Sequence, residues 1–315
     1  MGASDPADDR AHADIGDDPA DDTADSSPPP VGSVTAAGDV VTTRSGGRSG
    51  GGFGSRPREK LLALVVAVGL GFGASLLSAI LIFGLVRVLG ALSIPLPRSP
   101  LALVSIEFFV GQLLVMGGLS AAYLWATGRS ISFLRIRVPS LLQGLVILVG
   151  PIVVFVMTVG VNILGFSLGV ESSSHALTQV ETLDPSFYLA LVPFMLLIVG
   201  PFEELLYRGV IQSRLRESFG PLAAITAASV VFALIHVPAY GLGRAGALSV
   251  ALSVTVIFAG SLVFGGLYEW TGNLTVVALV HGLYNSIQLV LLYLVTVYEE
   301  ELMELAEPAA VLLGL

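Results

Sequence analysis

From residue 61 onward the chain alternates long apolar runs with short polar breaks. Seven runs stand out, over residues 61–86, 101–127, 141–168, 187–207, 221–237, 247–270 and 274–298. Each is near the ~20 residues that a bilayer core requires of a helix. Outer-membrane strands are shorter, about 10 residues, and alternate in polarity. The expected fold class is therefore all-α, a polytopic membrane helix bundle of about seven transmembrane helices, with eight as the other count. Gly150-Pro151 predicts a kink in the third run, which proline can introduce in a membrane without ending the helix. Residues 311–315 are too few to cross, and no internal repeat is visible.

Composition agrees with this pattern. The 315 residues are 54% hydrophobic and 12% charged, against about 25% charged in ordinary soluble domains. There are no cysteines, which excludes disulfides, thiolate metal sites and cysteine catalysis. The net charge of −9 does not support a nucleic-acid partner. Most of it sits at the ends, with 11 acidic residues in 1–60 and 5 in 299–307. Asp-rich ends with a single lysine, Lys60, fit a protein adapted to high salt.

Three regions follow. Residues 1–57 carry nine aspartates in the first 25 positions, then Pro28-Pro29-Pro30 and a Gly/Arg-rich stretch. Too little apolar surface is present to offset ordering entropy, so this segment is expected to be a disordered cytoplasmic tail. Its acids precede any apolar stretch, so it does not read as a signal peptide. Residues 58–298 form the membrane domain, and 299–315 an acidic C-terminal tail.

Arginine and lysine in short loops set orientation. With the N-terminus in the cytoplasm, the inside segments carry Arg44, Arg48, Arg56, Arg58, Lys60, Arg129, Arg135, Arg137, Arg208, Arg214 and Arg216. The outside segments carry only Arg87, Arg98 and Arg244. The localisation expected is a multi-pass protein of the cell membrane.

Ionisable groups at membrane depth are costly and therefore candidates for function. Glu107, Glu203, Glu204, Arg208, His236, Glu269 and His281 lie in the spans or at their ends, with Asn285 and Gln288 nearby. Glu107 reads as cavity lining or packing, Glu269 marks a span end, and Asn273 reads as the N-cap of the last helix. Glu203, Glu204, Arg208, His236, His281 and Asn285, with Phe232, fall into three motifs: Glu203-Glu204-x-x-x-Arg208, Phe232-x-x-x-His236 and His281-x-x-x-Asn285.

Glu204 and Arg208 are four apart and share a helix face, so they can pair. Glu203 is turned about 100° from Glu204 and has no local cation, as a carboxylate that exchanges protons requires. Gly220-Pro221 breaks the helix between the fourth and fifth spans. Glu203 lies 17 residues before Gly220 and His236 lies 16 after it. In an antiparallel hairpin the two therefore sit at nearly the same height. His281 and Asn285 share one face of the last span. Both can donate hydrogen bonds, as stabilising an oxyanion needs. Taken singly, the Glu–Arg pair could be a structural bridge, and the histidines and Asn285 could be interhelical hydrogen-bonding groups.

In this order and spacing the motifs resemble those of the CPBP family (CAAX proteases and bacteriocin-processing enzymes, formerly the Abi family), which includes the Ras-converting CAAX endopeptidase. The resemblance covers residues 192–291. It implies an intramembrane endopeptidase acting on membrane-attached peptides or proteins, prenylated ones included. It further implies a cavity open to the cytoplasmic leaflet. Glu203 then resembles the glutamate that activates water, His236 its partner, and His281 with Asn285 the oxyanion-stabilising pair. Glu204 and Arg208 are assigned to positioning. The family is often described as metalloproteases, so a zinc set of Glu203, His236 and His281 is the alternative to a glutamate mechanism without cofactor. The helix-borne HExxH signature is absent. With Glu203 as a ligand, Glu204 would have to be the base, yet it is placed to pair with Arg208. Two other functions compete with peptidase activity: a catalytically silent membrane scaffold or immunity protein, and a proton-coupled transporter. The transporter would favour internal repeats, which are not found.

Overall fold

The computed structural model describes residues 56–173, 184–241 and 246–302. The expected N-terminal tail up to residue 55, most of the loop 171–184 and the acidic end from 303 lie outside the described residues. Among the described residues every regular element is helical. Seven helices are long and apolar enough to cross a membrane: α1 Pro57–Ala91, α2 Pro100–Thr127, α3 Leu141–Ser167, α4 Ser186–Ser218, α5 Pro221–Gly241, α6 Ala247–Thr271 and α7 Leu274–Val297. The chain is a multi-pass membrane protein. Leucine, valine and phenylalanine side chains stand exposed along α1 and α3, among them Phe83, Leu148 and Phe166, as lipid-facing surfaces require.

The ends of the helices follow the local chemistry. Gly220 and Pro221 separate α4 from α5, with Pro221 at the first helical position, where its missing N–H is not needed. Gly272, at φ 58°, closes α6 in the left-handed region that favours glycine. Asn273 then caps α7 by accepting the Thr275 N–H at 3.0 Å, the role expected for it. At the start of α4 the Asp184 carboxylate accepts the Ser186 N–H at 2.8 Å. The Ser186 hydroxyl and this N–H hold the Asp184 carboxyl below its usual range. Glu269, at the end of α6, accepts Arg216 Nε at 2.7 Å. Beside it Arg129 binds Glu217, with Nη2–Oε2 at 2.8 Å. These contacts gather the ends of α2, α4 and α6 on the arginine-rich face.

α4 departs from regular α geometry. Pro193 and Pro201 interrupt its hydrogen-bond ladder, since proline has no N–H to donate. The helix is π-helical over Met195–Val199, between the two prolines, and again over Leu205–Gln212. Only the short α-helical segment Gly200–Glu204 separates these stretches. Such wide turns occur mostly as local insertions and often at functional sites. α2 carries a third π-helical stretch, Phe108–Gly117.

α7 is the most enclosed helix, with 50% of its apolar window buried against 17% for α1 and for α3. Its closest approach is to α4. A Cβ on Gly200 would lie 2.8 Å from the Ala278 carbonyl oxygen and 2.8 Å from Gly282 N. One on Gly282 would lie 2.8 Å from the Met195 carbonyl oxygen and 3.0 Å from Leu196 Cα. Both helices thus meet backbone to backbone, as small residues allow in membrane bundles. Gly282→Val is expected to lower the melting temperature of the purified protein, because overpacking against rigid backbone costs about 1–3 kcal/mol or more. Gly73→Ala meets open space and is expected to leave it unchanged or raised, as alanine is the better helix former by roughly 1 kcal/mol. Thermal unfolding of the two variants beside wild type checks this.

Candidate active site

The close crossing of α4 and α7 brings Glu203-Glu204 against His281. His281 Nδ1 lies 2.8 Å from Glu204 Oε1. Glu204 Oε2 accepts Arg208 Nε at 2.9 Å, and both of those side chains are fully buried. Arg208 Nη2 donates to Ser261 Oγ of α6 at 2.8 Å. Glu204 therefore joins α4 to α7 directly and, through Arg208, to α6. Pairing of this kind keeps a carboxylate and a guanidinium tolerable at low dielectric.

Glu203 faces a different side, as the helical rotation predicts. Its Oε1 accepts Gln112 Nε2 of α2 at 3.1 Å. Its Oε2 lies 3.8 Å from His281 Nε2. That distance is too long for a direct hydrogen bond. The His281 ring is fixed from both sides: Nδ1 is held by Glu204, and its face stacks on Phe264 at 4.6 Å between centroids.

Phe232, the first residue of the second motif, sits at the centre of an aromatic cluster. Its ring meets Tyr207 edge-on at 4.8 Å, His236 at 4.7 Å and His281 at 6.1 Å. The Arg208 guanidinium lies over it at 5.6 Å, a cation–π contact in a desolvated place. The Tyr207–Phe232 contact agrees with the hairpin register expected from Gly220, since these residues lie one turn nearer the bend than Glu203 and His236. His236 caps the main helix of α5, and its Nδ1 lies 2.7 Å from the Phe232 carbonyl oxygen. A carbonyl only accepts, so the ring proton is on Nδ1. Asn285 is half-buried on α7, one turn beyond His281. Glu107 is exposed by surface area, with its carboxylate on the side of α2 that carries Gly111 and meets Ser78 of α1, and it makes none of these hydrogen bonds.

The structure thus unites Glu203, Glu204, Arg208 and His281 in one hydrogen-bonded and electrostatic cluster, with Phe232 bridging toward His236. The residues of the alternative zinc set, Glu203, His236 and His281, are not gathered into a three-donor site. Among the described residues no group of three or more His, Asp and Glu side chains is assembled for a metal. Three partners escaped the motif reading: Gln112, Ser261 and Phe264. Gln112 carried a signal, as a lone amide within an apolar span. Serine and phenylalanine inside a span carried none.

The site as built is a carboxylate and an imidazole facing each other inside a helical membrane bundle. Residues 185–287 match the model of the family described as type II CAAX prenyl endopeptidase Rce1-like. This match covers about a third of the chain and supports the CPBP, or CAAX protease, family; the matched segment contains all three motifs. No curated protein and no solved structure matches the chain.

Replacing Arg208 by methionine strands the fully buried Glu204. Removing one partner of a buried pair costs about 3–5 kcal/mol. Arg208→Met is therefore expected to unfold the protein or lower its melting temperature sharply. Arg129→Met breaks a pair that is part-exposed and is expected to cost at most about 1 kcal/mol. Melting curves of the two variants in the same detergent test the contrast.

Proposed function

We propose that the protein is an intramembrane endopeptidase of CAAX-processing type, acting on membrane-attached peptides or proteins, with Glu203 as the group that takes a proton from the attacking water. The observation that carries this reading is the pairing of Glu203 Oε2 with His281 Nε2 across 3.8 Å. A water oxygen can lie at a normal hydrogen-bond distance of about 2.8 Å from both atoms at once. The gap is thus suited to a water held by carboxylate and imidazole together.

The reaction follows in balanced steps. Water oxygen bonds to the scissile carbonyl carbon as its proton passes to Glu203, assisted by His236. The carbonyl π electrons move onto oxygen. His281 and Asn285 donate hydrogen bonds to that oxyanion, His281 doing so when Nε2 carries a proton. Collapse re-forms the carbonyl and breaks the C–N bond. The proton held by Glu203 goes to the departing amine, leaving a carboxylic acid and an amine. Glu204 and Arg208 position His281 and stay out of the proton traffic.

Water activation without a metal is the form we favour. Were Glu203 a zinc ligand, Glu204 would have to serve as base, yet both of its oxygens are engaged, by Arg208 and by His281. Glu203→Gln is expected to lower cleavage of a panel of plain and prenylated membrane-anchored peptides by about 10²–10⁴-fold or more, while wild type keeps its activity in chelator. Equal cleavage by both variants would sink the role of Glu203. Loss on chelation, restored by zinc, would transfer the site to a metal.

The N-terminus is proposed to lie in the cytoplasm of a cell-membrane protein, on the strength of the arginine bias. The chain has no cysteine, so Val138→Cys, on the exposed arginine-rich loop, supplies a single thiol. It is expected to react with a membrane-impermeant maleimide only after the cells are opened. Labelling of intact cells would reverse the orientation.

A further inference from the structure

The two oxygens of Glu203 have different surroundings. Oε1 is held by Gln112 Nε2 at 3.1 Å, whereas Oε2 faces His281 Nε2 at 3.8 Å. Gln112 comes from α2, outside the residues that match the family. It lies within the π-helical stretch Phe108–Gly117 and is 8% exposed. α2 reaches the site because Gly117 carries no side chain: a Cβ there would sit 2.9 Å from the ring of Phe202, the neighbour of Glu203.

The Gln112 amide is a poor choice for packing alone. Its own Oε1 is buried without a hydrogen-bond partner, and an unsatisfied buried acceptor costs free energy. A leucine fills similar space and carries no polar atom. What the amide supplies, and leucine cannot, is the N–H donated to Glu203.

We infer that Gln112 is a positioning residue for Glu203: it pins Oε1, turns Oε2 toward His281, and so makes Oε2 the oxygen that receives the proton of water. This rests on Glu203 being the base. A carboxyl group that can rotate would offer either oxygen in either direction, and reaction geometry is sensitive to displacements of about 1 Å.

The test uses the full chain in phospholipid vesicles and a panel peptide that wild type cleaves. kcat, KM and Tm are measured for wild type, Gln112→Leu, Gln112→Glu, Gln112→Asn and Glu203→Gln. The leucine and glutamate variants both lack the amide N–H. They are expected to lose about 10–100-fold in kcat, the usual scale for removing an outer partner of a functional ligand. KM is expected to stay within about twofold, because a misaligned base lowers the chemical step rather than binding. Tm of the leucine variant is expected to be unchanged or higher. The asparagine variant keeps a shorter amide and is expected to fall between. Wild-type kcat in Gln112→Leu overturns the inference, as does a loss of kcat that tracks a loss of Tm across all three variants. A Glu203→Gln protein as active as wild type overturns the base assignment and this inference with it. The two failures are read from separate samples, so they are distinguishable.

Discussion

A carboxylate inside a membrane must be compensated, and the bundle is arranged around how Glu204 is compensated. Its oxygens are shared between Arg208 of the same helix and His281 of α7, and Arg208 goes on to Ser261 of α6. Removing any one of these leaves a buried charge or strong donor without its partner. The network therefore acts as a tie among three helices. It also sets the tilt of one imidazole ring. A ring held at Nδ1 and stacked on Phe264 presents Nε2 in a fixed direction, and that direction is toward Glu203. Fold and chemistry depend on the same carboxylate.

The tie works only because α4 and α7 touch. Gly200 and Gly282 let the two backbones meet, Gly200 one turn before Glu204 and Gly282 directly after His281. The prolines of α4 contribute in a different way. They break its regular ladder on the side of the site away from the hairpin bend, and π-helical turns flank the Glu203-Glu204 pair. A wider turn changes which residues share a face. Leu205–Gln212 is one such stretch, and just after it Ser213 Oγ reaches back five residues to the Arg208 carbonyl oxygen at 3.0 Å. In this way the irregular helix satisfies the Arg208 carbonyl from within itself, as a bilayer favours.

The seven spans were readable from apolar run lengths alone, because a bilayer dictates them; their ends moved by a few residues, and α4 runs 11 residues further, to Ser218. The register of Glu203 against the α5 motif was also readable. α4 and α5 are consecutive, and Gly220-Pro221 marks the bend from which both are counted. The contact of His281 with both glutamates was not readable. It joins helices that are distant in sequence, and no spacing within either helix encodes their crossing. Spacing paired Glu203 with His236, and the fold adds His281 as an imidazole beside Glu203. Gln112 was visible as a polar residue at membrane depth, but it belonged to no motif, and only the packing of α2 against α4 gives it a partner.

Two adjacent glutamates thus have different surroundings because a helix turns them apart by about 100°. Glu204 falls on the face with the guanidinium and becomes structural. Glu203 falls on the face toward α2, where it accepts from an amide and faces the far edge of an imidazole. The formal charges of the cluster then show what the arrangement permits. Two carboxylates and one guanidinium leave a single negative charge, so one further proton makes the group neutral. With Glu204 committed to Arg208, that proton has two places to sit, Glu203 and His281, which face each other across 3.8 Å. A site that is neutral with one proton, and has two neighbouring groups able to hold it, can exchange that proton without stranding a charge in the bilayer. Hydrolysis needs the same exchange twice, once from water and once to the departing amine.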